Sequence, residues 1–149
     1  MGTRRRARES ALQLLYQLDV GGGEPSSAID RYWGELEEPL DVVLKDFART
    51  LVEGVWGRRE EIDDMIASYS TNWKISRMAA VDKNILRMAI YELLYCVDIP
   101  VKVTLNEAIE IAKKYGTTES GAFVNGILDN VARDRTPQKF HDPSHEVPK

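Results

Sequence analysis

Arg4, Arg5, Arg6 and Arg8 stand together at the start of the chain, with no acidic residue among the first eight positions. Positive side chains at a helix N-terminus face the positive end of its dipole and repel one another, at a cost of roughly a few tenths of a kcal/mol each. A ligand outside the helix would compensate, and phosphate is the natural one. Arginine makes bidentate contacts to phosphate oxygens and stacks on bases, so several on adjacent turns form a track for a nucleic-acid backbone. The competing expectation is a frayed, solvated terminus.

A second basic point, Lys113 and Lys114, precedes Gly116 and the polar turn Thr117-Thr118-Glu119-Ser120, with Phe123 one turn further on. Free N–H groups, hydroxyls and a nearby aromatic can bind a phosphate and stack a base. The same residues also read as plain structure, with Thr118 or Ser120 as an N-cap and Phe123 in the core. Asn125-Gly126 puts two weak helix formers inside the next helical stretch. The expectation is that Gly126 lets another helix approach and that Asn125 bonds across the contact.

Other chemistries lack their residues. His141 and His145 fall in a polar, proline-containing C-terminal stretch, poorly placed for general base catalysis, and one cysteine, Cys96, makes neither a disulfide nor a zinc cluster. Gly21-Gly22-Gly23 is not followed by the Lys-Ser/Thr of a phosphate loop. Glu107 with Glu110, and Asp63 with Asp64, have no paired base and read as solvated surface. No catalytic constellation, metal site or cofactor is expected.

The elements that must position these residues are helical throughout. The 149 residues, 43% of them hydrophobic, suffice for one domain or two small subdomains, and the formal net charge of −4 sets an acidic body against the basic start. With no secretory h-region and no run long enough to span a bilayer, a cytoplasmic protein is expected. Ala7, Ala11, Leu14, Leu15 and Leu18 follow helical spacing up to the glycine triplet; Pro25-Ser26-Ser27 opens a short helix bearing Ile29, Tyr32, Trp33 and Leu36 on one face. From Asp41 the stripe Leu44, Phe47, Ala48, Leu51, Val55 continues into Ile62, Met65, Ile66 and Tyr69, one long helix that Gly54 and Gly57 allow to bend or break. Trp73, Ile75 and Met78 then plug a gap between helices.

Val81 to Asp98 is apolar around nearly its whole circumference and belongs in a core, with Asp82 as its cap and Asp98-Ile99-Pro100 as its end. Thr104-Leu105-Asn106-Glu107 has capping-box spacing, with Val103 and Ala108 as a staple, and starts a helix that Gly116 stops. Phe123, Val124, Ile127, Leu128 and Val131 mark the last helix, and residues 133–149 read as a disordered polar tail. The fold class is all-α, with about seven helices over residues 1–132.

Three segments, RRRARESALQLLY at Arg4 to Tyr16, VDKNILRMAIYEL at Val81 to Leu93 and IPVKVTLNEAIEIAKKYGTTESGAFVNGILD at Ile99 to Asp129, together resemble the NusB family of transcription antitermination factors. The resemblance implies two small helical bundles packed against each other and no enzymatic activity. It also implies binding to the boxA element of nascent RNA together with NusE, a ribosomal protein, in a complex with other Nus factors on RNA polymerase, chiefly in ribosomal RNA operons. By the same resemblance Arg4, Arg5, Arg6, Arg8, Lys113, Glu119, Ser120 and Phe123 would meet RNA, and Asp82 would face NusE. Some relatives form homodimers that cover the arginine-rich surface. Two rival readings are an accessory domain of an RNA cytosine methyltransferase, which this length leaves no room for, and a helical dimeric adaptor without RNA affinity.

Overall fold

The computed structural model describes residues 3–71 and 74–140, and among them every regular element is helical. The described residues form eight α-helices and one 3-10 turn, and the chain divides into two compact units, 1–59 and 60–149.

The first unit holds α1 (Arg4–Gly21), α2 (Pro25–Glu35) and α3 (Val42–Gly57). α1 buries Ala7, Ala11, Leu14, Leu15 and Leu18, the expected stripe, against Leu44, Ala48, Leu51, Val52 and Val55 of α3. Thr3 caps α1 by accepting from Arg6 N at 3.2 Å, and Asp41 caps α3 by accepting from Leu44 N at 3.0 Å. Gly22 and Gly23 turn the chain with φ of 74° and 105°, a left-handed region that glycine enters without a Cβ penalty. Of the apolar residues expected on α2, Ile29 is buried while Tyr32, Trp33 and Leu36 are half-buried. Arg49 ties α3 to α2 through Asp30 at 2.9 Å.

The long helix anticipated after Asp41 is broken. α3 ends at Gly57, Arg58 leaves helical geometry at φ −120° and ψ 23°, and α4 restarts at Arg59–Tyr69. Gly57 has no side chain to hold the turn together, which places the break there.

The second unit is built around α5 (Ala80–Tyr95), with α6 (Val101–Tyr115) and α7 (Ser120–Arg135) packed on it. α5 buries Ile85, Leu86, Met88, Ala89, Ile90 and Leu93, and with them the polar Asn84, Arg87 and Glu92. Each of these three polar side chains has a partner. Arg87 is chelated by Asp63 of α4, Nε to Oδ1 at 2.8 Å and Nη2 to Oδ2 at 2.7 Å, and its Nη1 donates to Asn84 Oδ1 at 3.0 Å. Thr104 Oγ1 donates to Glu92 Oε1 at 2.8 Å.

That last bond corrects the expected capping box. α6 begins four residues earlier, at Val101 behind Pro100, so Thr104 is an interior helical residue, 1% exposed, whose hydroxyl serves the buried Glu92 carboxylate; Val103, the expected staple, is exposed. Thr104→Val keeps the shape and removes the donor, and is expected to cost about 1–3 kcal/mol in urea unfolding. An unchanged midpoint would show that Glu92 does not depend on this hydroxyl.

Helix continues beyond Arg133, where the disordered tail was expected to begin: α7 runs to Arg135 and α8 (Pro137–Phe140) follows. Lys139 Nζ donates to the carbonyls of Leu93 at 3.2 Å and Cys96 at 3.0 Å, supplying donors that the end of α5 lacks. Burial holds the Lys139 amine below its ordinary pKa of 10.5, against the opposing pull of Cys96, Glu92 and Asp98. Ile75 and Met78 are half-buried around the 3-10 turn Ile75–Arg77, whereas Trp73, His141 and His145 lie outside the described residues.

Candidate nucleic-acid interface

In the first unit, the start of α1 carries its four guanidinium groups into three different environments. Arg4 and Arg8 both lie over the Phe47 ring of α3, at 4.7 and 5.2 Å from its centroid. Arg6 donates to the Glu38 backbone carbonyl and sits 3.7 Å from the Glu38 carboxylate. Arg5 is exposed. The ring quadrupole and Glu38 together offset part of the repulsion among charges at the positive end of the helix dipole.

The four arginines expected to act alike differ in exposure. Arg8 is only 3% exposed, spaced four residues from Arg4 on the face that packs on Phe47, so it joins α1 to α3. Arg4 and Arg5 keep exposed side chains, and Arg6 is half-buried beside Glu38. No acidic residue lies in the first turn of α1. From sequence Phe47 is only a core position; its pairing with arginines about 40 residues away leaves no mark in local spacing.

In the second unit, the turn between α6 and α7 is fixed by its own hydroxyls. Ser120 Oγ accepts from Thr117 N at 2.9 Å and lies 3.3 Å from Thr117 Oγ1, which accepts from Glu119 N at 3.3 Å. Gly116 is obligatory here, because a methyl at that position would come within 2.3 Å of Ser120 Oγ and 2.8 Å of the Ala112 carbonyl oxygen. Neither Thr118 nor Ser120 is the cap of α7. Glu119 occupies that place without a side-chain bond, and Ser120 is 1% exposed as the first helical residue. Lys113 is exposed, 3.9 Å from Glu110, and its stem passes 3.5 Å from where a methyl at Gly121 would sit. A methyl at Gly121 would make only ordinary van der Waals contact with α6.

Asp82 is not the cap of α5 either. The helix starts at Ala80 behind Ala79, and Asp82 falls in the first turn, where its charge complements the dipole. Its Oδ1 is buried and has no hydrogen-bond partner among the described residues. The residue itself lines a cavity of about 230 Å³ together with Arg77, Met78, Glu119, Ser120 and Phe123. Asp82 and the α6–α7 turn, assigned to different ligands from sequence, thus share one cavity. Arg77 and Met78 were missed as members of it; the basic residue in the short ISRM turn was the available signal.

Among the described residues, no group of His, Cys, Asp and Glu is placed to hold a metal ion, and no helix is long and apolar enough to cross a membrane.

The profile of the NusB family matches residues 5–133. The transcription antitermination protein NusB of Syntrophus aciditrophicus is 53% identical over 129 residues, covering 87% of this chain and 79% of that protein. Among solved structures, T. maritima NusB superposes with a TM-score of 0.85 at 40% identity, covering 93% of this chain and 97% of that one. A crystal structure of the antitermination factors NusB and NusE in complex with dsRNA gives a TM-score of 0.79 at 27% identity over 87% of this chain and 96% of the other.

Proposed function

The chain belongs to the NusB family of transcription antitermination proteins, which are not enzymes, and on that premise we propose that it binds boxA RNA together with NusE. It acts in the cytoplasm on nascent transcripts, chiefly of ribosomal RNA operons, where with other Nus factors it helps RNA polymerase resist termination. The observation that carries the RNA half is the start of α1, where Arg4 and Arg5 remain exposed on a helix end without acidic neighbours in its first turn. Single-stranded RNA supplies the phosphates that such an end accepts and the bases on which guanidinium groups stack. Lys113, Glu119 and Phe123 extend the contact in the second unit. The protein half is supported by Asp82, whose negative charge on the lining of the second unit's cavity suits a basic residue of a ribosomal protein. A relative of this chain has been crystallised with NusE and RNA, which supports the same pairing.

The mechanism is joint capture. Two modest interactions, one with RNA and one with protein, reinforce each other because each ligand holds the other near its site. Binding of a boxA oligonucleotide and a scrambled one, with and without NusE and at two salt concentrations, tests this directly. Preference for boxA, strengthened by NusE and weakened by salt, is expected; equal affinity for both oligonucleotides would reject it. Asp82→Lys should weaken NusE binding by about 2 kcal/mol or more, roughly thirtyfold in Kd, while affecting RNA alone far less. Equal losses for both ligands would contradict the assignment of Asp82.

A further inference from the structure

Asn125 and Gly126 were expected to sit beneath a crossing helix, and the structure places both on the exposed side of α7. A methyl at Gly126 would meet nothing within 4 Å. A glycine in the interior of an exposed helix weakens that helix relative to alanine. Packing among the described residues does not require it.

What Gly126 does border is a second cavity of about 230 Å³, lined also by Tyr69, Ser70 and Thr71 from the end of α4 and the segment after it, and by Phe123 and Ile127 of α7. Phe123 lines the Asp82 cavity as well, so the ring stands between the two spaces. Tyr69 is held in place from outside: its hydroxyl donates to Asp134 Oδ2 at 3.0 Å and accepts from Arg135 Nε at 3.3 Å, and the Arg135 guanidinium lies 5.8 Å from the Tyr69 ring centroid. The cavity therefore combines two aromatic residues, a stretch of helix backbone without a side chain over it, hydroxyl-bearing residues and a cation beside one ring.

We propose that this cavity is a base slot, which takes one unstacked nucleobase of a bound single-stranded RNA against Phe123 and Tyr69, with Gly126 leaving room for it. The proposal rests on the RNA-binding reading above and deepens it. A flat aromatic ligand carrying phosphate fits this combination. Stacking rewards the rings, Arg135 suits the adjoining backbone, and the missing side chain admits a ring against the helix. Its continuity with Phe123 extends the proposed RNA contact beyond the α6–α7 turn.

The test uses the full chain, Gly126→Leu, and single-stranded boxA RNA both intact and with each base in turn replaced by an abasic site. Leucine fills the slot without touching the core, so the variant should melt no lower than the unaltered protein. The unaltered protein should lose about tenfold in affinity at one abasic position, the scale of a single base stacking on aromatic side chains. Gly126→Leu should lose a similar factor on intact RNA and show no further loss at that one position, and Gly126→Ala should fall between the two. Full affinity of Gly126→Leu for intact RNA would overturn the slot while leaving the RNA-binding reading standing. So would a loss of NusE binding without a loss of RNA binding, which would mark the cavity as a protein contact. Absence of RNA affinity in the unaltered protein would overturn both.

Discussion

Arg87→Met is expected to lower the stability of the protein by about 2–3 kcal/mol, read as a shift of the urea midpoint at unchanged slope. The side chain of Arg87 is 7% exposed and makes two short bonds to Asp63, whose side chain is 27% exposed. Methionine replaces the volume and leaves an acceptor on each side, the Asp63 carboxylate and Asn84 Oδ1, without the guanidinium donor. Partial exposure of Asp63 lets water recover some of the loss, which keeps the figure below that of a wholly buried pair. Arg87→Lys should fall between, since an ammonium cannot serve both carboxylate oxygens and Asn84 in one plane. Adding Asp63→Leu to the Arg87→Met variant should restore part of the loss, because the stranded charge goes with it. A loss well under 1 kcal/mol in the single variant would mean that the pair is already solvated in the folded state.

The second large effect separates arginines that look alike in sequence. Arg4→Ala with Arg5→Ala should weaken boxA RNA binding about tenfold or more at low salt and lower the slope of log affinity against log salt by roughly 1.4, two single-strand phosphate contacts' worth. Urea unfolding should change little, since both residues are exposed. Arg8→Ala should do the reverse. Its guanidinium is buried over Phe47, so truncation opens a gap between α1 and α3 and should cost about 1–2 kcal/mol of stability while leaving the salt slope nearly intact. Equal salt slopes in all variants would remove α1 from the RNA surface.

The contrast shows where sequence reading succeeds and where it stops. Helical periodicity located α1 and α7 because their buried residues recur every three or four positions, as Ala7, Ala11, Leu14 and Leu18 do, and α5 showed itself by being apolar on nearly every side. It also separated the basic start from the acidic body, a property of composition alone. What it misjudged depended on partners distant in the chain. Thr104 looked like a cap until Glu92 was seen to need its hydroxyl, Arg8 looked like its three neighbours until Phe47 covered it, and Asp82 stood too deep in its helix to cap it. Gly126 looked like a packing residue because the sequence does not reveal which face of α7 is covered. In each case a local pattern admitted two structures and a side chain elsewhere chose between them.

The Ser120 hydroxyl filling the space beside Gly116 means that the α6–α7 turn is ordered before any ligand arrives. Conformational entropy of that segment is lost once, when the protein folds, and is not charged again to each encounter. Substitutions that loosen the turn should therefore add an ordering cost to complex formation even when they touch no ligand.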